Sequence, residues 1–221
     1  MQLCQLAQDW KGAIPTGGMM FESKIDGWRA TRFPGIDGKV RLWSRNGMPI
    51  EGTGHILRRL ALMEEAAGEP MFFDGEFQVD GTLDATKAWA ERGWKQGGDA
   101  GIFHAFDCLT LAEWRAGGSD VPLIERKARL VELFNASEPD ADEWTWAEGS
   151  RGAPIPVAVR VMPDGWAFDA DDAVSEVRRV WAAGGEGIVL KDPSSPYRRT
   201  RTDAWMKVKG ENMHKWNRRA A

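Results

Sequence analysis

The chain has 221 residues, of which 43% are hydrophobic and 28% charged, and its formal net charge is −4. No apolar run approaches the roughly 18 residues that suggest a membrane span, and the N-terminus lacks the charged and apolar regions of a signal peptide. The negative charge argues against a protein that coats nucleic acid without specificity. We therefore expect a globular, cytoplasmic protein that does not interact with membranes.

Cysteine and histidine are rare in this sequence. Two cysteines, Cys4 and Cys108, are too few for a disulfide framework. The three histidines are scattered, and they do not show the spacing of zinc ligands. We expect both cysteines to be reduced and structural.

Eight short stretches rich in β-branched or aromatic residues are predicted to form strands. In chain order they are residues 20–25, 28–33, 40–44, 71–79, 102–109, 156–162, 187–191 and 204–209. Asp26 and Gly27 lie between the first two stretches, and this dipeptide favours a type I′ turn, which needs positive φ at both central positions. We therefore expect the first two strands to form a hairpin.

Three stretches between the strands show the apolar period of an amphipathic helix. The first apolar face carries Ile56, Leu60 and Met63, the second Leu123, Leu130 and Phe134, and the third Val174, Val177 and Trp181. Pro122 is predicted to open the second helix. Asp169 or Asp171 is predicted to cap the third helix, and Gly184 to end it. Strands outnumber helices, which predicts an α+β fold with antiparallel sheets. No repeat or linker divides the chain, so we expect one domain over residues 1–221.

Several predicted strands carry pairs of charged residues on one face, because side chains two apart in a strand point the same way. The pairs are Glu22 with Lys24, Asp74 with Glu76, and Lys207 with Lys209. Like charges on one face repel unless a counter-charge or a bound anion lies between them. For each pair taken singly, a solvated sheet face is the alternative interpretation.

Two further stretches add groups that suit a binding site. Glu186 lies in a glycine-rich turn before an apolar strand that ends at Lys191, and such a turn lets the backbone approach a ligand. The same turn is also an ordinary connection between a helix and a strand. Phe106 precedes Asp107 in an apolar strand, where packing in the core is the alternative. A lysine, two glutamates, a lysine pair and an aromatic ring together suit phosphoryl or nucleotidyl transfer.

Six motifs in this chain resemble, in order and approximate spacing, the nucleotidyltransferase motifs of ATP-dependent DNA ligases. They are ESKIDGWR (22–29), SRNG (44–47), FFDGEF (72–77), FHAFD (103–107), EGIVLK (186–191) and WMKVK (205–209). A lone KxDG is a weak signal, whereas this ordered set covers nearly the whole chain. The resemblance implies a DNA ligase/mRNA-capping-type nucleotidyltransferase (ATP-grasp-like) fold, with two antiparallel sheets flanked by helices and the nucleotide between them.

The resemblance also implies a role for each residue. Lys24 would attack the α-phosphate of ATP and form a lysyl-AMP; the AMP would pass to the 5′-phosphate of nicked double-stranded DNA, and a 3′-hydroxyl would displace it. Glu76 and Glu186 would hold Mg²⁺, or Mn²⁺ in its place. Glu22 would lie by the adenine, and Phe106 would stack on it. The nucleotide-binding residues implied are Glu22, Arg29, Arg45, Glu76, Phe106, Lys191, Lys207 and Lys209.

Physical chemistry places one demand on this mechanism. Deprotonating an ordinary lysine at pH 7 costs about 4 to 5 kcal/mol, so the site must disfavour the ammonium form of Lys24. Burial, the neighbouring lysines 207 and 209, and a divalent metal would all act in that direction.

The sequence departs from the family pattern after WMKVK. Ligases of this family normally carry an OB-type domain there, whereas only residues 210–221 follow, and we interpret them as a short basic tail. Between residues 191 and 219 there are nine basic and three acidic residues, a balance that would favour a polyanion. The chain is then an isolated catalytic domain, a natural minimal enzyme, or a chain that obtains the OB-type function from a partner. The short N-terminus leaves no room for a nicotinamide-binding domain, which favours ATP.

Three alternatives remain at this point. An mRNA-capping guanylyltransferase shares the lysine chemistry, and an RNA ligase shares the lysine. A non-catalytic module that binds nicked duplex would keep the fold without turnover. The acidic stretch 138–148, which contains Pro139, is predicted to be an exposed loop.

Overall fold

The structure is a computed structural model, and it describes residues 2–93, 100–137 and 157–216. In these ranges the chain forms thirteen strands, five α-helices and one 3₁₀ helix. The strands are β1 (Leu6–Asp9), β2 (Met19–Ser23), β3 (Trp28–Pro34), β4 (Val40–Ser44), β5 (Pro49–Ile50), β6 (Met71–Gln78), β7 (Ile102–Thr110), β8 (Gly118–Ser119), β9 (Val159–Val161), β10 (Asp164–Ala167), β11 (Gly187–Lys191), β12 (Tyr197–Arg198) and β13 (Arg201–Lys209). The helices are α1 (Gly54–Ala67), α2 (Leu83–Glu91), α3 (Leu111–Arg115), α4 (Leu123–Ala136) and α5 (Ala170–Ala182), and the 3₁₀ helix is Gly210–Lys215.

Most of the strands belong to two sheets. The first sheet has the order β1-β13-β11-β2-β10, and the second has the order β5-β4-β3-β6-β7-β9; β8 and β12 form a separate pair. The predicted α+β class is therefore confirmed. Each sheet is antiparallel except at one edge, where β1 runs parallel to β13 and β9 runs parallel to β7. Parallel pairing requires a long connection, and both edge strands are far from their partners in the chain.

All eight predicted strands are present, with small shifts at their ends. For the predicted stretch 156–162, the strand covers Val159–Val161, and residue 156 lies outside the described ranges. Five strands of two to four residues were not predicted, namely β1, β5, β8, β10 and β12. Such short segments contain too few residues for an alternating pattern to stand out.

The predicted hairpin between the first two strands is wrong. The structure pairs β2 with β10 and β11, whereas β3 pairs with β4 and β6, so residues 24–27 cross from one sheet to the other. Gly27 does not have positive φ. A β-carbon at Gly27 would lie 2.5 Å from the carbonyl oxygen of Phe77, so this glycine permits a close approach of two backbones. Sheet pairing has overridden the local turn preference, and it places Lys24 where the sheets meet.

The helices pack on the sheets as the apolar periods predict. Helices α1 and α4 share a buried cluster with the second sheet, including Leu60 and Leu130, and α5 packs Val177 on the first sheet. Pro122 precedes α4, and Asp169 caps α5 by accepting a hydrogen bond from the backbone N–H of residue 172. Trp181 was predicted on the apolar face of α5, but it is 46% exposed. It lies in the last turn of α5, where its ring contacts Gly210 at the start of the 3₁₀ helix.

Another cluster joins the two sheets. It includes Met20 and Trp205 from the first sheet, Phe72 and Phe106 from the second, and Tyr197 from β12. The aromatic side chains meet edge to face, with ring centroids 5.8 Å apart for Phe106 and Trp205. Packing in this cluster fixes the position of one sheet relative to the other. Side chains from both sheets can therefore face one cavity.

The segment after β13 folds back on the domain. Residues 210–215 form the 3₁₀ helix, and the ring of Trp216 packs 4.7 Å from that of Trp10. The described part of the predicted tail is therefore packed. The rest of it, like the acidic stretch 138–148, lies outside the described residues. Across the described ranges, none of the helices combines the length and the apolar composition needed to cross a bilayer.

Candidate active site

A cavity of about 330 Å³ lies between the two sheets, lined by residues from both. All ten residues that the sequence analysis assigned to a site line this cavity, although they come from widely separated parts of the chain. They are Glu22, Lys24, Arg29, Arg45, Glu76, Phe106, Glu186, Lys191, Lys207 and Lys209. Their individual roles remain predictions, but the fold brings the complete set to one place.

Lys24 lies directly after β2, and its backbone N–H donates to the carbonyl oxygen of Gly187 at 2.8 Å. Its Nζ forms a close ion pair with Oε2 of Glu186. Lys209 approaches the other oxygen, with Nζ 3.0 Å from Oε1 of Glu186. Burial opposes ionisation of Glu186, but the hydrogen bonds and charges of Lys24 and Lys209 lower its pKa below the ordinary value. One carboxylate thus holds two lysines side by side.

The two lysines of β13 do not simply repel each other. Nζ of Lys207 lies 3.3 Å from a carboxylate oxygen of Asp9 on β1, whereas Lys209 is held by Glu186 and by Glu211 at 3.4 Å. Each ammonium therefore has its own counter-charge. The parallel strand β1, which was not predicted, supplies one of them.

Glu76 lies on β6, directly opposite Arg29 on β3 in the sheet register. Burial raises the pKa of Glu76 to about 7, although the charges of Arg29 and Lys24 oppose this shift. The carboxyl group therefore changes its charge near neutral pH. This behaviour sets it apart from Glu186, which lines the same cavity from the turn before β11.

Two carboxylates of the cavity, Glu76 and Glu186, are candidate metal ligands. In the described ranges, no group of three or more histidine, cysteine, aspartate or glutamate side chains is placed to hold an ion. Glu76 and Glu186 both line the cavity, and two carboxylates fit Mg²⁺, which binds proteins through few carboxylates and takes further oxygens from phosphates and water. The residues present therefore fit a metal that arrives with a phosphate-bearing ligand.

Asp74 does not line the cavity, although the strand period placed it on the same face as Glu76. It is fully buried and accepts two hydrogen bonds from Arg29, at 2.7 Å each, and one from the hydroxyl of Tyr197. Arg29 also donates to the carbonyl oxygen of Gln5. Asp74 thus orients Arg29, whose guanidinium carbon lies 4.6 Å from the ring centroid of Phe106.

Glu22 is buried in the aromatic part of the cavity, 3% exposed. Its Oε2 accepts from Lys191 at 2.5 Å and its Oε1 from Lys127 at 2.5 Å. The ammonium of Lys191 also lies 4.4 Å from the ring centroids of both Phe106 and Trp205. Burial lowers the pKa of Lys191, although the Glu22 carboxylate opposes this.

Sequence reasoning missed several residues of this site. Trp205, Met162 and Arg201 line the cavity, and Lys127 contacts Glu22 from α4. A signal for Lys127 was available, because it lies on the apolar face of its helix, four residues after Leu123. A charged residue on a buried helix face requires a partner in the interior.

The chain was compared with known proteins. The sequence model of the ATP dependent DNA ligase domain matches residues 1–209. DNA ligase 4 of Yarrowia lipolytica is 34% identical over 113 residues, which is 51% of this chain and 10% of that protein. The DNA ligase of Haloferax volcanii is 28% identical over 194 residues, which is 82% of this chain and 28% of that protein. The chain therefore spans only a minor part of these curated relatives.

Solved structures show the same fold. The ATP-dependent DNA ligase from bacteriophage T7, in complex with ATP, superposes with a TM-score of 0.71 at 17% identity, covering 96% of this chain and 69% of that one. The Chlorella virus DNA ligase-adenylate superposes with a TM-score of 0.63 at 18% identity, covering 93% and 68%. These likenesses confirm the predicted nucleotidyltransferase fold. With the family match over residues 1–209, they lead to one conclusion: the chain belongs to the family of ATP-dependent DNA ligase domains.

Proposed function

We propose that this chain is the adenylation domain of an ATP-dependent DNA ligase, which forms a lysyl-AMP at Lys24 and passes the AMP to the 5′-phosphate of nicked duplex DNA. One observation carries the proposal: the ten motif residues converge on one cavity between the sheets. Lys24 lies there among carboxylates and cations, whereas Glu22 and Phe106 lie in its aromatic part. The cavity thus offers phosphate-binding and base-binding groups together.

The proposed step forms a bond between Nζ of Lys24 and the α-phosphorus of ATP and breaks the bond from that phosphorus to the pyrophosphate oxygen. The amine must first lose a proton. In the free site Glu186 holds Lys24 by an ion pair, which orients Nζ. A metal held by Glu186 and the phosphates would weaken this ion pair. The charge of the neighbouring Lys209 would then favour release of the Lys24 proton to solvent, which leaves the neutral amine as the nucleophile.

Two carboxylates support the use of a divalent metal. Glu76 and Glu186 would hold Mg²⁺, or Mn²⁺, together with phosphate oxygens of the nucleotide. When bound, the metal neutralises the charge that develops on the leaving pyrophosphate. Lys207 and Arg29, which line the same cavity, add positive charge around the phosphates.

The base would occupy the aromatic part of the cavity. Glu22 is an acceptor that suits the exocyclic amine of adenine. The ring of Phe106 already lies against Arg29 and Lys191, so stacking of adenine on this ring remains a prediction. For nicked DNA we propose a contact through Arg45, which lines the cavity from the turn after β4. A partner chain that supplies an OB-type function is also part of the proposal.

The test is the intact mass of the purified chain before and after incubation with ATP and Mg²⁺. We expect an adduct of the mass of AMP in the wild type and in Lys87→Ala, a control that removes an exposed lysine paired with Asp84. Lys24→Ala should form no adduct. Absence of an adduct in the wild type under every condition, including GTP and Mn²⁺, would refute the proposal. It would favour a nick-binding module, which salt-dependent binding without covalent AMP would identify.

Sealing by the chain alone is a separate measurement. A 5′-labelled nicked duplex is incubated with the adenylated chain, and joined strands are separated by size. Joined product supports a minimal enzyme. Adenylation without joining supports an isolated catalytic domain or the need for a partner.

A further inference from the structure

Lys127 is a buried lysine that none of the proposed steps uses. It lies on α4 and is 4% exposed. Its Nζ is 2.5 Å from Oε1 of Glu22, 2.5 Å from the carbonyl oxygen of Met162 and 4.0 Å from a carboxylate oxygen of Asp164. An ammonium group has three N–H donors and no acceptor; two of them are used by Glu22 and Met162, and Asp164 adds a more distant counter-charge.

The cost of burying this charge indicates a specific role. A buried ammonium is strongly unfavourable unless it is paired, and an apolar residue of similar size is often more stabilising than a buried ion pair. Lys127 could therefore be replaced by a neutral side chain if α4 needed only packing. Instead, its charge is directed at a carboxylate and a carbonyl oxygen that both belong to residues lining the cavity, Glu22 and Met162.

Two lysines from different elements hold Glu22. Lys191 on β11 binds Oε2, and Lys127 on α4 binds Oε1. The last torsion of a glutamate side chain is broad, so a carboxylate held at one oxygen only can still rotate. Held at both oxygens, it keeps one orientation. The two lysines also leave about one lone pair free on each oxygen for a ligand.

We propose that Lys127 is a positioning residue for selection of the base, an inference that rests on the proposed function. By holding the Glu22 carboxylate in one orientation together with Lys191, it makes the cavity favour a purine with an exocyclic amine, because a carboxylate accepts hydrogen bonds. A purine with a carbonyl at that position would place its oxygen against the Glu22 carboxylate, so that two acceptors face each other without a donor. An unsubstituted purine leaves the free lone pairs of Glu22 without a donor.

The test compares three nucleotides in the adduct assay: ATP, GTP and purine riboside triphosphate, which lacks the exocyclic amine. Lys127→Met keeps the approximate length of the side chain and removes its charge. Arg129→Met is the matched control, because Arg129 lies on the same helix and donates to Glu113 and to the carbonyl oxygen of Cys108, none of which lines the cavity. Glu22→Gln is the reference for loss of the acceptor charge.

We expect the wild type and Arg129→Met to share one preference for ATP over purine riboside triphosphate. Lys127→Met should reduce this preference about tenfold, the scale of one hydrogen bond to a charged group. Discrimination against GTP should fall in the same variant. A purely structural role would lower the rates with all three nucleotides by one common factor, and that result would overturn the inference.

A double variant keeps the test decisive if Lys127→Met does not fold. Glu22→Gln combined with Lys127→Met removes both charges of the pair, and its base preference should equal that of Glu22→Gln alone. A further loss of preference in the double variant would show that Lys127 acts by another route and would overturn the inference. A wild type that forms no adduct with any nucleotide would instead refute the proposed function itself.

Discussion

Replacing Glu76 with glutamine should reduce the pH dependence of the free energy of unfolding. Burial raises the pKa of Glu76 to about 7 in the folded protein, against an ordinary value of 4.5. Between these two values the folded state binds more protons at this site than the unfolded state does. The stability that the neutral carboxyl group supports is therefore fully present below pH 4.5 and is lost as the pH rises through about 7.

The magnitude follows from the two pKa values. Each unit of difference corresponds to roughly 1.4 kcal/mol, so full ionisation of Glu76 costs about 3 kcal/mol. At pH 5.5 about 1 kcal/mol of this cost is already present, because the carboxyl group is ionised in the unfolded chain. Between pH 5.5 and pH 8.5 the wild type should lose about 2 kcal/mol relative to Glu76→Gln. Water entering the cavity screens the charge and reduces this figure.

Urea unfolding at pH 5.5, 7 and 8.5 measures this difference in the wild type and in Glu76→Gln. Glu125→Gln is the control, because Glu125 is exposed on α4. The gap between the wild type and Glu76→Gln should grow with pH, whereas the gap to the control should stay constant. A gap for Glu76→Gln that is the same at all three pH values would refute the assigned pKa. Added Mg²⁺ with ATP should narrow the gap at pH 8.5, since metal binding stabilises the ionised carboxylate.

Two further predictions concern the scaffold, and urea unfolding at one pH tests both. Arg126→Met leaves the fully buried Asp107 without its ion-pair partner and should lower the free energy of unfolding by about 3 to 5 kcal/mol. Arg179→Met, which breaks a pair whose arginine is exposed on α5, should cause a much smaller loss, and equal losses would contradict the reasoning. Gly27→Ala places a methyl group 2.5 Å from the carbonyl oxygen of Phe77 and should cost about 1 to 3 kcal/mol. An unchanged stability would show that the two backbones are not in close approach there.

Local patterns were sufficient where a long helix buries one face. The apolar period in α4 identifies this helix, because burial of one face imposes the period on the sequence. The order of the six motifs identified the residues that line the cavity. Both kinds of signal are contained in consecutive residues.

Predictions failed where a distant partner decided the outcome. The Asp26–Gly27 dipeptide has the composition of a hairpin turn, yet β2 and β3 pair with strands from elsewhere in the chain. Asp74 shares a strand period with Glu76, but it lies beneath Arg29 in the interior because Tyr197 and Arg29 bind it there. The period of a strand shows which side chains share a face of the sheet. The residues that pack against each side chain determine whether it lines the cavity or lies in the core.

The sequence by itself determined the α+β class, the ligase-type motifs and the candidate residues, since these depend on local composition and order. Only the tertiary structure decided which charges meet. Glu22 is held by Lys127 and Lys191, which are 105 and 169 residues away along the chain, and Lys24 is held by Glu186 at a separation of 162. The physical reason is that an ion pair depends on distances of a few ångströms in space, and packing of the two sheets creates those distances.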